Sequence, residues 1–365
     1  MFRIPVNVRM QPGCLAELPD YLTTKHAGPL LLVTDAGVSG TDWFQDLRSG
    51  LSPTLLEDAV EPNPRTTTVD AMAARARDAG IEVVLGVGGG SVLDAAKAVA
   101  MLLRNEGPVA SFAGKNRFPN PSAPFIAVPT TCGTGSEVTW VSVLTDPAAR
   151  EKISVKGDGM FPTAAFVDAD VIASLPPTLI AATGMDALTH AMEAFLARGA
   201  NPASDALALQ AIRALLQHLG PCVREPSRPE SRARVMHAST IAGMAFGNAD
   251  VGAVHCLSEG IGGLLDHPHG LLNTLLLVPV LRYQMPDIRD RMREVSGFLG
   301  SPMPETLLEK LESMIQGFPL GSWADLQVSP DLFADIARRA EANGSNPSNR
   351  RNMTARDYHV ILESL

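Results

Sequence analysis

The sequence lacks an excess of basic residues and any close pair of cysteines. Thirty Lys and Arg residues stand against 39 Asp and Glu residues, which gives a net charge of −9. Proteins that bind nucleic acids need a positive face for the phosphates, so DNA and RNA are not expected partners. The four cysteines form no C-x-x-C pair, which disfavours both a disulfide-stapled secreted domain and a thiolate zinc site.

Long apolar runs are also missing, and a leader peptide is not expected. The longest apolar stretches, such as residues 275–281, are far shorter than the roughly 18 residues that a membrane helix needs. The first ten residues contain no apolar segment followed by a small-residue cleavage site. We therefore expect a soluble cytoplasmic protein with no membrane partner.

The pattern of apolar residues divides the chain into two parts. Its length of 365 residues exceeds what one compact core usually holds. Strand candidates are 30–33, 83–87 and 125–128, and helix candidates are 66–79 and 92–103. Apolar strands that alternate with helices indicate a parallel sheet covered on both faces. Beyond Pro176 and Pro177 the patterns are helical. We predict an α/β domain over residues 1–177 and an all-helical domain over residues 178–365.

A glycine-rich loop links the second strand candidate to the helix that follows it. Gly88, Gly89, Gly90 and Ser91 would bring backbone amides and a helix N-terminus close to a pyrophosphate. The alternative is a tight turn that uses glycine only for its backbone freedom, since the pattern G-x-G-x-x-G is absent.

Two further segments favour a dinucleotide site. Asp35 follows the first strand candidate, where a carboxylate can accept hydrogen bonds from a ribose and repel a 2′-phosphate. This position favours NAD over NADP, although an acid at a strand end is often a turn residue. Residues 129–137, after the third strand candidate, offer hydroxyls and amides for a diphosphate and a nicotinamide, or form a solvated loop.

A metal site is indicated in the helical half. Asp186 and His190 are four residues apart, so they share one helix face. With His255 and His269 they would give one carboxylate and three imidazoles, a set that suits Zn²⁺ or Fe²⁺. The alternative for each histidine is a hydrogen-bonded core residue. Glu193, one turn after His190, is interpreted as a supporting or a surface carboxylate.

Four motifs resemble those of the iron-containing, or group III, alcohol dehydrogenases. The motifs are GGGSVLDAAK at 88–97, PTTCGTGSEVT at 129–139, AATGMDALTHAMEAF at 181–195 and HCLSEGIGG…PHG at 255–270. The likeness runs in order from Asp35 to Asn346 and Pro347, so it covers nearly the whole chain. It implies an N-terminal α/β domain that binds NAD(P), an all-helical domain that holds one divalent metal, and an active site in the cleft between them.

The resemblance also assigns residues. The metal ligands it implies are Asp186, His190, His255 and His269. The cofactor contacts it implies are Asp35, Gly88, Gly89, Gly90, Ser91, Asp94, Thr130, Thr131, Thr134 and Lys152. The substrate-pocket positions it implies are Val141, Val143, Phe246 and Ala342.

One position departs from the family pattern. Many members have a second histidine four residues after the ligand that corresponds to His255, and this chain has Glu259 there. Glu259 and His267 are therefore candidate catalytic residues. A glutamate at this position can relay protons, bind substrate hydroxyls or join the metal shell.

The sequence thus predicts an NAD-dependent, divalent-metal-dependent alcohol dehydrogenase or aldehyde reductase, expected as a homodimer or higher homo-oligomer. Its substrate would be a small alcohol or aldehyde, polyhydroxylated or otherwise functionalised. The same architecture also carries dehydroquinate-synthase-like lyases and glycerol phosphate dehydrogenases, but these need a Lys and Arg cluster for a substrate phosphate. A non-catalytic nucleotide-binding sensor is the alternative of another class, and it has no use for metal ligands.

Overall fold

The computed structural model describes residues 2–301 and 303–365, which form two compact units. Residues 4–174 make an α/β unit, and residues 2–3, 175–301 and 303–365 make a helical unit. The fold class predicted from the sequence is confirmed. The secondary structure changes over at Pro177, where the first helix of the helical unit begins.

The α/β unit is built on a six-stranded parallel sheet. Its strands are β1 (Asn7–Arg9), β2 (Leu30–Val33), β3 (Leu55–Glu57), β4 (Val83–Gly88), β6 (Phe125–Pro129) and β9 (Ala164–Phe166). They lie in the order β1-β9-β6-β4-β2-β3, and every neighbouring pair is parallel. Helices α1 (Leu18–Lys25), α2 (Ala36–Ser39), α3 (Asp42–Leu51), α4 (Thr66–Asp78) and α5 (Gly90–Leu102) connect them.

Alternate side chains of the central strands enter two separate cores. On β2, Leu31 and Val33 join a buried cluster with residues of α4 and α5. Leu30 and Leu32 join a second cluster with residues of α1 and α3. Because both faces are covered, these strands are apolar throughout and do not alternate with polar residues.

A second, smaller sheet was not predicted from the sequence. It contains β5 (Gly114–Lys115), β7 (Val141–Asp146) and β8 (Glu151–Lys156) in the order β5-β8-β7. The pair β7 and β8 is antiparallel, with Val143 opposite Ser154. These strands are only half buried and carry many polar residues, so they give no continuous apolar signal.

The helical unit contains α6 (Pro177–Leu196), α7 (Pro202–Arg224), α8 (Pro229–Ala249), α9 (Ala253–Leu265), α10 (His269–Phe298), α11 (Pro304–Gln316), α12 (Phe333–Ala342) and α13 (Ala355–Glu363). Helix α6 packs against α7, α8 and α10 and is buried along most of its length. None of the helices that the structure describes is long and apolar enough to cross a membrane. All four cysteines are buried, and they form no disulfide within the part of the chain that the structure describes.

Candidate metal and dinucleotide sites

Helix α6 places three functional side chains on one face. Asp186, His190 and Glu193 follow one another at spacings of four and three residues, which align on an α-helix. All three are buried, with relative exposures of 2%, 5% and 5%. A buried cluster of two carboxylates and an imidazole is costly unless its members are paired, so the partners of these groups decide what the cluster does.

Two further histidines enter from the first turns of α9 and α10. His255 is the third residue of α9, and His269 is the first residue of α10. His255 Nε2 lies 3.9 Å from Asp186 Oδ1, and His269 Nε2 lies 3.7 Å from the same oxygen. Ligand atoms of these three residues all lie within 4.8 Å of one another. One carboxylate and two imidazoles at this spacing suit a divalent transition metal.

Glu193 fixes the orientation of the His255 ring. Its Oε2 lies 2.5 Å from His255 Nδ1, and its Oε1 accepts a hydrogen bond from the Val254 backbone amide at 2.7 Å. Because a carboxylate only accepts, Nδ1 must carry the proton and Nε2 keeps its lone pair toward Asp186. Gly252 makes room for this carboxylate, since a Cβ there would meet Glu193 Oε1 at 3.0 Å. A carboxylate behind a ligating histidine is the usual support in metal sites.

His190, the fourth predicted ligand, lies beside Asp186, His255 and His269, although the group of ligand atoms within 4.8 Å of one another does not include it. Its Nδ1 is 3.7 Å from Asp186 Oδ1, and its ring centroid is 4.4 Å from that of His255. Phe246, a predicted substrate-pocket residue, stacks on His190 with a centroid distance of 4.3 Å and an interplanar angle of 17°. This stacking restricts the rotation of the imidazole about its side-chain bonds.

The electrostatics of the cluster favour a charged carboxylate. Burial alone would raise the pKa of Asp186, but His190, His269, His255 and Asn273 together hold it below its usual value. Burial alone would lower the pKa of His255, but the hydrogen bond to Glu193 and the nearby carboxylates raise it. Asp186 therefore keeps its negative charge, and His255 is a more basic ligand than an isolated imidazole.

Two of the other predicted residues of the helical unit, Glu259 and His267, lie close in sequence to His255 and His269, and the third is Ala342. Glu259 is one turn beyond His255 on α9, is half buried, and accepts a hydrogen bond from Asn343 Nδ2 at 2.6 Å. Ala342, the last residue of α12, is exposed and precedes Asn343. His267 lies half buried in the loop between α9 and α10.

The predicted dinucleotide residues gather at one edge of the large sheet. Strands β2, β4 and β6 are neighbours, so their carboxyl ends and the loops that follow lie together. Helix α5 begins at Gly90, directly after β4, and Thr130 donates its backbone N–H to Gly88 O at 3.0 Å. The carboxyl edge of a parallel sheet with a helix N-terminus is a common site for a pyrophosphate.

Glycine is required at this edge because two loops approach each other closely. A Cβ at Gly90 would lie 2.4 Å from Thr134 Cγ2, and a Cβ at Gly89 would lie 3.0 Å from Thr131 Cγ2. The threonines of the loop after β6 therefore stand directly over the start of α5. Ser91, Thr131 and Thr134 are partly exposed, whereas Thr130 is buried.

Asp35 has a structural contact as well as a predicted cofactor role. It is the N-cap of α2, and its Oδ1 accepts a hydrogen bond from the Val38 amide at 2.9 Å. Lys152, on β8, donates to Asn63 Oδ1 at 2.9 Å. Both side chains are half buried.

Asp94 is anchored within the protein by both carboxylate oxygens. Oδ1 accepts from Ser136 Oγ at 2.6 Å, and Oδ2 accepts from the Val143 amide at 2.9 Å. Lys97, which sequence reasoning missed, donates to Ser136 O, Ser136 Oγ and Val141 O at 2.7–2.9 Å. Burial lowers the pKa of Lys97 to about 8, although Asp94 and Glu137 oppose the shift. This network joins α5, the loop after β6 and β7, so it holds the predicted cofactor residues and the backbone of Val141 and Val143 together.

Comparison with known proteins identifies the family to which this two-unit chain belongs. The family described as iron-containing alcohol dehydrogenase matches residues 5–169, and the C-terminal part of the same family matches residues 180–365. The chain belongs to the iron-containing alcohol dehydrogenase family. This dehydrogenase is therefore an oxidoreductase that acts on CH–OH groups, and the sequence-based prediction of the family is confirmed. Neither the lyase nor the sensor alternative is supported.

Named relatives of this dehydrogenase act on different small alcohols and aldehydes. It is 38% identical to the 1,3-propanediol dehydrogenase of Klebsiella pneumoniae, over 91% of this chain and 90% of that protein. It is 30% identical to the NAD-dependent methanol dehydrogenase of Bacillus methanolicus, over 100% of this chain and 99% of that protein. The crystal structure of sulfoacetaldehyde reductase from Bifidobacterium kashiwanohense with NAD⁺ superposes with a TM-score of 0.91 at 29% identity, covering 100% of this chain and 98% of that chain.

Proposed function

We propose that this dehydrogenase transfers hydride between C4 of the nicotinamide of NAD and a small alcohol or aldehyde, with one divalent metal held by Asp186, His190, His255 and His269. The observation that carries the proposal is the cluster of buried Asp186, buried His255 and half-buried His269, with Glu193 behind His255. The donor chemistry fits Fe²⁺ or Zn²⁺. When bound, the cation supplies Lewis-acid polarisation of the alcohol or carbonyl oxygen.

Residues of the chain position the metal, the cofactor and the substrate. Asp186 provides the negative charge, and Glu193 holds the proton of the neutral His255 ring on Nδ1, so that Nε2 is the nitrogen available to a metal. Phe246 holds the His190 ring by stacking on it. The glycine loop and the hydroxyls of Ser91, Thr131 and Thr134 are assigned to the diphosphate. Fixed groups of this kind act by orienting the reacting atoms.

The proposal is tested with purified protein stripped of metal and then reloaded with Fe²⁺ or Zn²⁺ under anaerobic conditions. NADH oxidation with a panel of short aldehydes is followed by absorbance. We expect NADH consumption that depends on one of the two metals and stops when a chelator is added. Consumption that is equally fast in the stripped and reloaded protein would contradict the assigned metal chemistry.

NAD should be preferred over NADP because of the Asp35 carboxylate. A 2′-phosphate beside it places like charges a few ångströms apart, at a cost of about 1–4 kcal/mol, or about 5- to 1,000-fold in kcat/KM. Replacing Asp35 with glycine should relax the preference, as measured by kcat/KM for both cofactors. Asp35→Asn is the matched control because asparagine can keep the N-cap while it removes the charge. Equal use of NAD and NADP by the unaltered protein would refute this prediction.

Glu259 is proposed to set substrate preference and to assist proton transfer. Its carboxylate is held by Asn343 next to Ala342, a predicted pocket position. A negative group there favours substrates with several hydroxyls or a positive group over simple alkanols and anionic aldehydes. Of the compounds named in the relatives, 1,3-propanediol is therefore expected to react better than methanol, and sulfoacetaldehyde is expected to react poorly.

Replacing Glu259 with glutamine keeps the shape and removes the charge. We expect turnover to fall or its pH profile to shift, with the metal retained, because general acid–base assistance contributes about 10²–10⁴ in rate. Sulfoacetaldehyde should become a better substrate relative to 1,3-propanediol. Steady-state kinetics as a function of pH and metal analysis measure these effects. If rate, pH profile and substrate ranking all stay the same, Glu259 is a structural residue.

Four assignments stay predictions. They are the catalytic role of His267, a homodimeric or higher oligomeric state, a cytoplasmic location and the domain boundary at residue 177. A His267→Gln variant with unchanged kinetics would remove His267 from the site.

A further inference from the structure

Asn273 lies in the middle of the candidate metal site, although the four-ligand assignment does not include it. It follows His269 by four residues on α10, so both side chains project from one helix face. Its Nδ2 is 2.7 Å from Asp186 Oδ1, 3.1 Å from His255 Nε2 and 3.0 Å from His269 Nε2. Asn273 thus contacts Asp186, His255 and His269, and its Nδ2 is closer to Asp186 Oδ1 than either of these two imidazoles is.

The other end of this carboxamide is buried without a hydrogen-bond partner. Asn273 has a relative exposure of 0%, and its Oδ1 accepts no hydrogen bond from any residue that the structure describes. A buried carbonyl oxygen without a partner is rare and destabilising. The carboxamide that carries this orphaned acceptor therefore presents its Nδ2 end to the three potential metal ligands, while its only potential ligand atom, Oδ1, has no partner.

Rotating the Asn273 carboxamide by 180° exchanges the positions of Oδ1 and Nδ2 without changing the shape of the side chain. Oδ1 would then face Asp186 Oδ1 and the lone pairs of two imidazoles, an arrangement of acceptors that is repulsive unless a cation lies among them. An amide oxygen is an accepted metal ligand, whereas an amide nitrogen with two hydrogens is not. The orientation of Asn273 is therefore coupled to the presence of a cation.

We propose that Asn273 is a fifth protein ligand of the metal centre, through Oδ1, and that this oxygen favours Fe²⁺ over Zn²⁺. The inference rests on the metal centre given under Proposed function. Zn²⁺ in proteins usually takes four ligands, a number that the four assigned residues already supply, whereas Fe²⁺ sites have room for further ligands. An additional oxygen ligand therefore increases the affinity of the site for Fe²⁺ more than its affinity for Zn²⁺.

The test compares metal affinities of full-length variants by anaerobic competition with a chromophoric chelator. Asn273→Leu keeps the size of the side chain and removes the oxygen. We expect its affinity for Fe²⁺ to fall about tenfold or more and its affinity for Zn²⁺ to change less, so the Fe²⁺/Zn²⁺ ratio drops. Asn273→Asp keeps an oxygen at the same place and should retain Fe²⁺ binding. Thr274→Val is the matched control, because Thr274 is buried on the same helix and its hydroxyl bonds to Gly270 O.

A spectroscopic measurement separates ligation from a loss of packing. With Co²⁺ as the probe, the d–d absorption becomes more intense when the coordination number falls. We expect more intense bands for Asn273→Leu than for the unaltered protein and for Thr274→Val. If the leucine variant loses its helical circular dichroism, Asn273→Ala provides the same comparison.

The possible results distinguish this inference from the proposed function. Should the unaltered protein bind neither Fe²⁺ nor Zn²⁺, the metal centre itself is wrong. A different result would overturn only the role of Asn273. In that case the unaltered protein binds one equivalent of metal, and the Asn273 variants lose affinity for Fe²⁺ and Zn²⁺ equally or not at all. The Co²⁺ spectrum of these variants is then also unchanged.

Discussion

Replacing His255 with alanine should abolish metal binding and reduce turnover on the order of 10³-fold, while NAD binding stays nearly unchanged. The fall is large because the polarising cation contributes several kcal/mol to transition-state stabilisation. NAD binding should persist because its predicted contacts all lie within residues 4–174, whereas His255 belongs to the helical unit. Metal analysis, steady-state kinetics and NADH fluorescence titration measure the three quantities separately.

His237→Ala is the matched control for that experiment. His237 is a half-buried histidine of α8 in the same helical unit and is not a member of the metal set. It should leave metal content and turnover close to those of the unaltered protein. Metal content that stays near one equivalent per chain in His255→Ala would show that the ligand assignment is wrong.

Replacing Glu193 with glutamine should lower metal affinity about 10- to 100-fold, which is typical for residues that support a ligating histidine. Glutamine has nearly the same shape, but one end of its carboxamide donates hydrogen bonds. If that end faces His255 Nδ1, the imidazole proton moves to Nε2, and Nε2 can no longer bind a metal. If it faces the Val254 amide instead, two donors meet. Either orientation breaks one of the two buried contacts of Glu193.

Competition with a chelator and the pH dependence of metal binding measure this effect. Glu312→Gln is a suitable control, because Glu312 makes a partly exposed ion pair with Arg282 and such pairs contribute about 0–1 kcal/mol. A glutamine variant with unchanged metal affinity would mean that Glu193 does not control the tautomer of His255.

The candidate site was only partly predictable from the sequence. The spacing of Asp186, His190 and Glu193 on a helix specifies one face, and the sequence therefore predicted that face correctly. The role of Glu193 stayed open between support and surface, because the partner that decides it, His255, is 62 residues further along the chain. Asn273 carried no signal of its own beyond its position one turn after His269.

The sequence by itself determined the fold class, the family and most of the elements that carry the site residues, except β7 and β8. Apolar strands followed by glycine or hydroxyl residues, and helical spacing of acid and histidine, are local patterns that one segment can show alone. Only the tertiary structure decided which side chains meet. It placed the Asn273 carboxamide among the ligand atoms, joined Glu193 to His255, engaged both oxygens of Asp94, and paired β7 with β8. These are contacts between distant segments, whose geometry depends on how whole helices and strands pack and not on any local pattern.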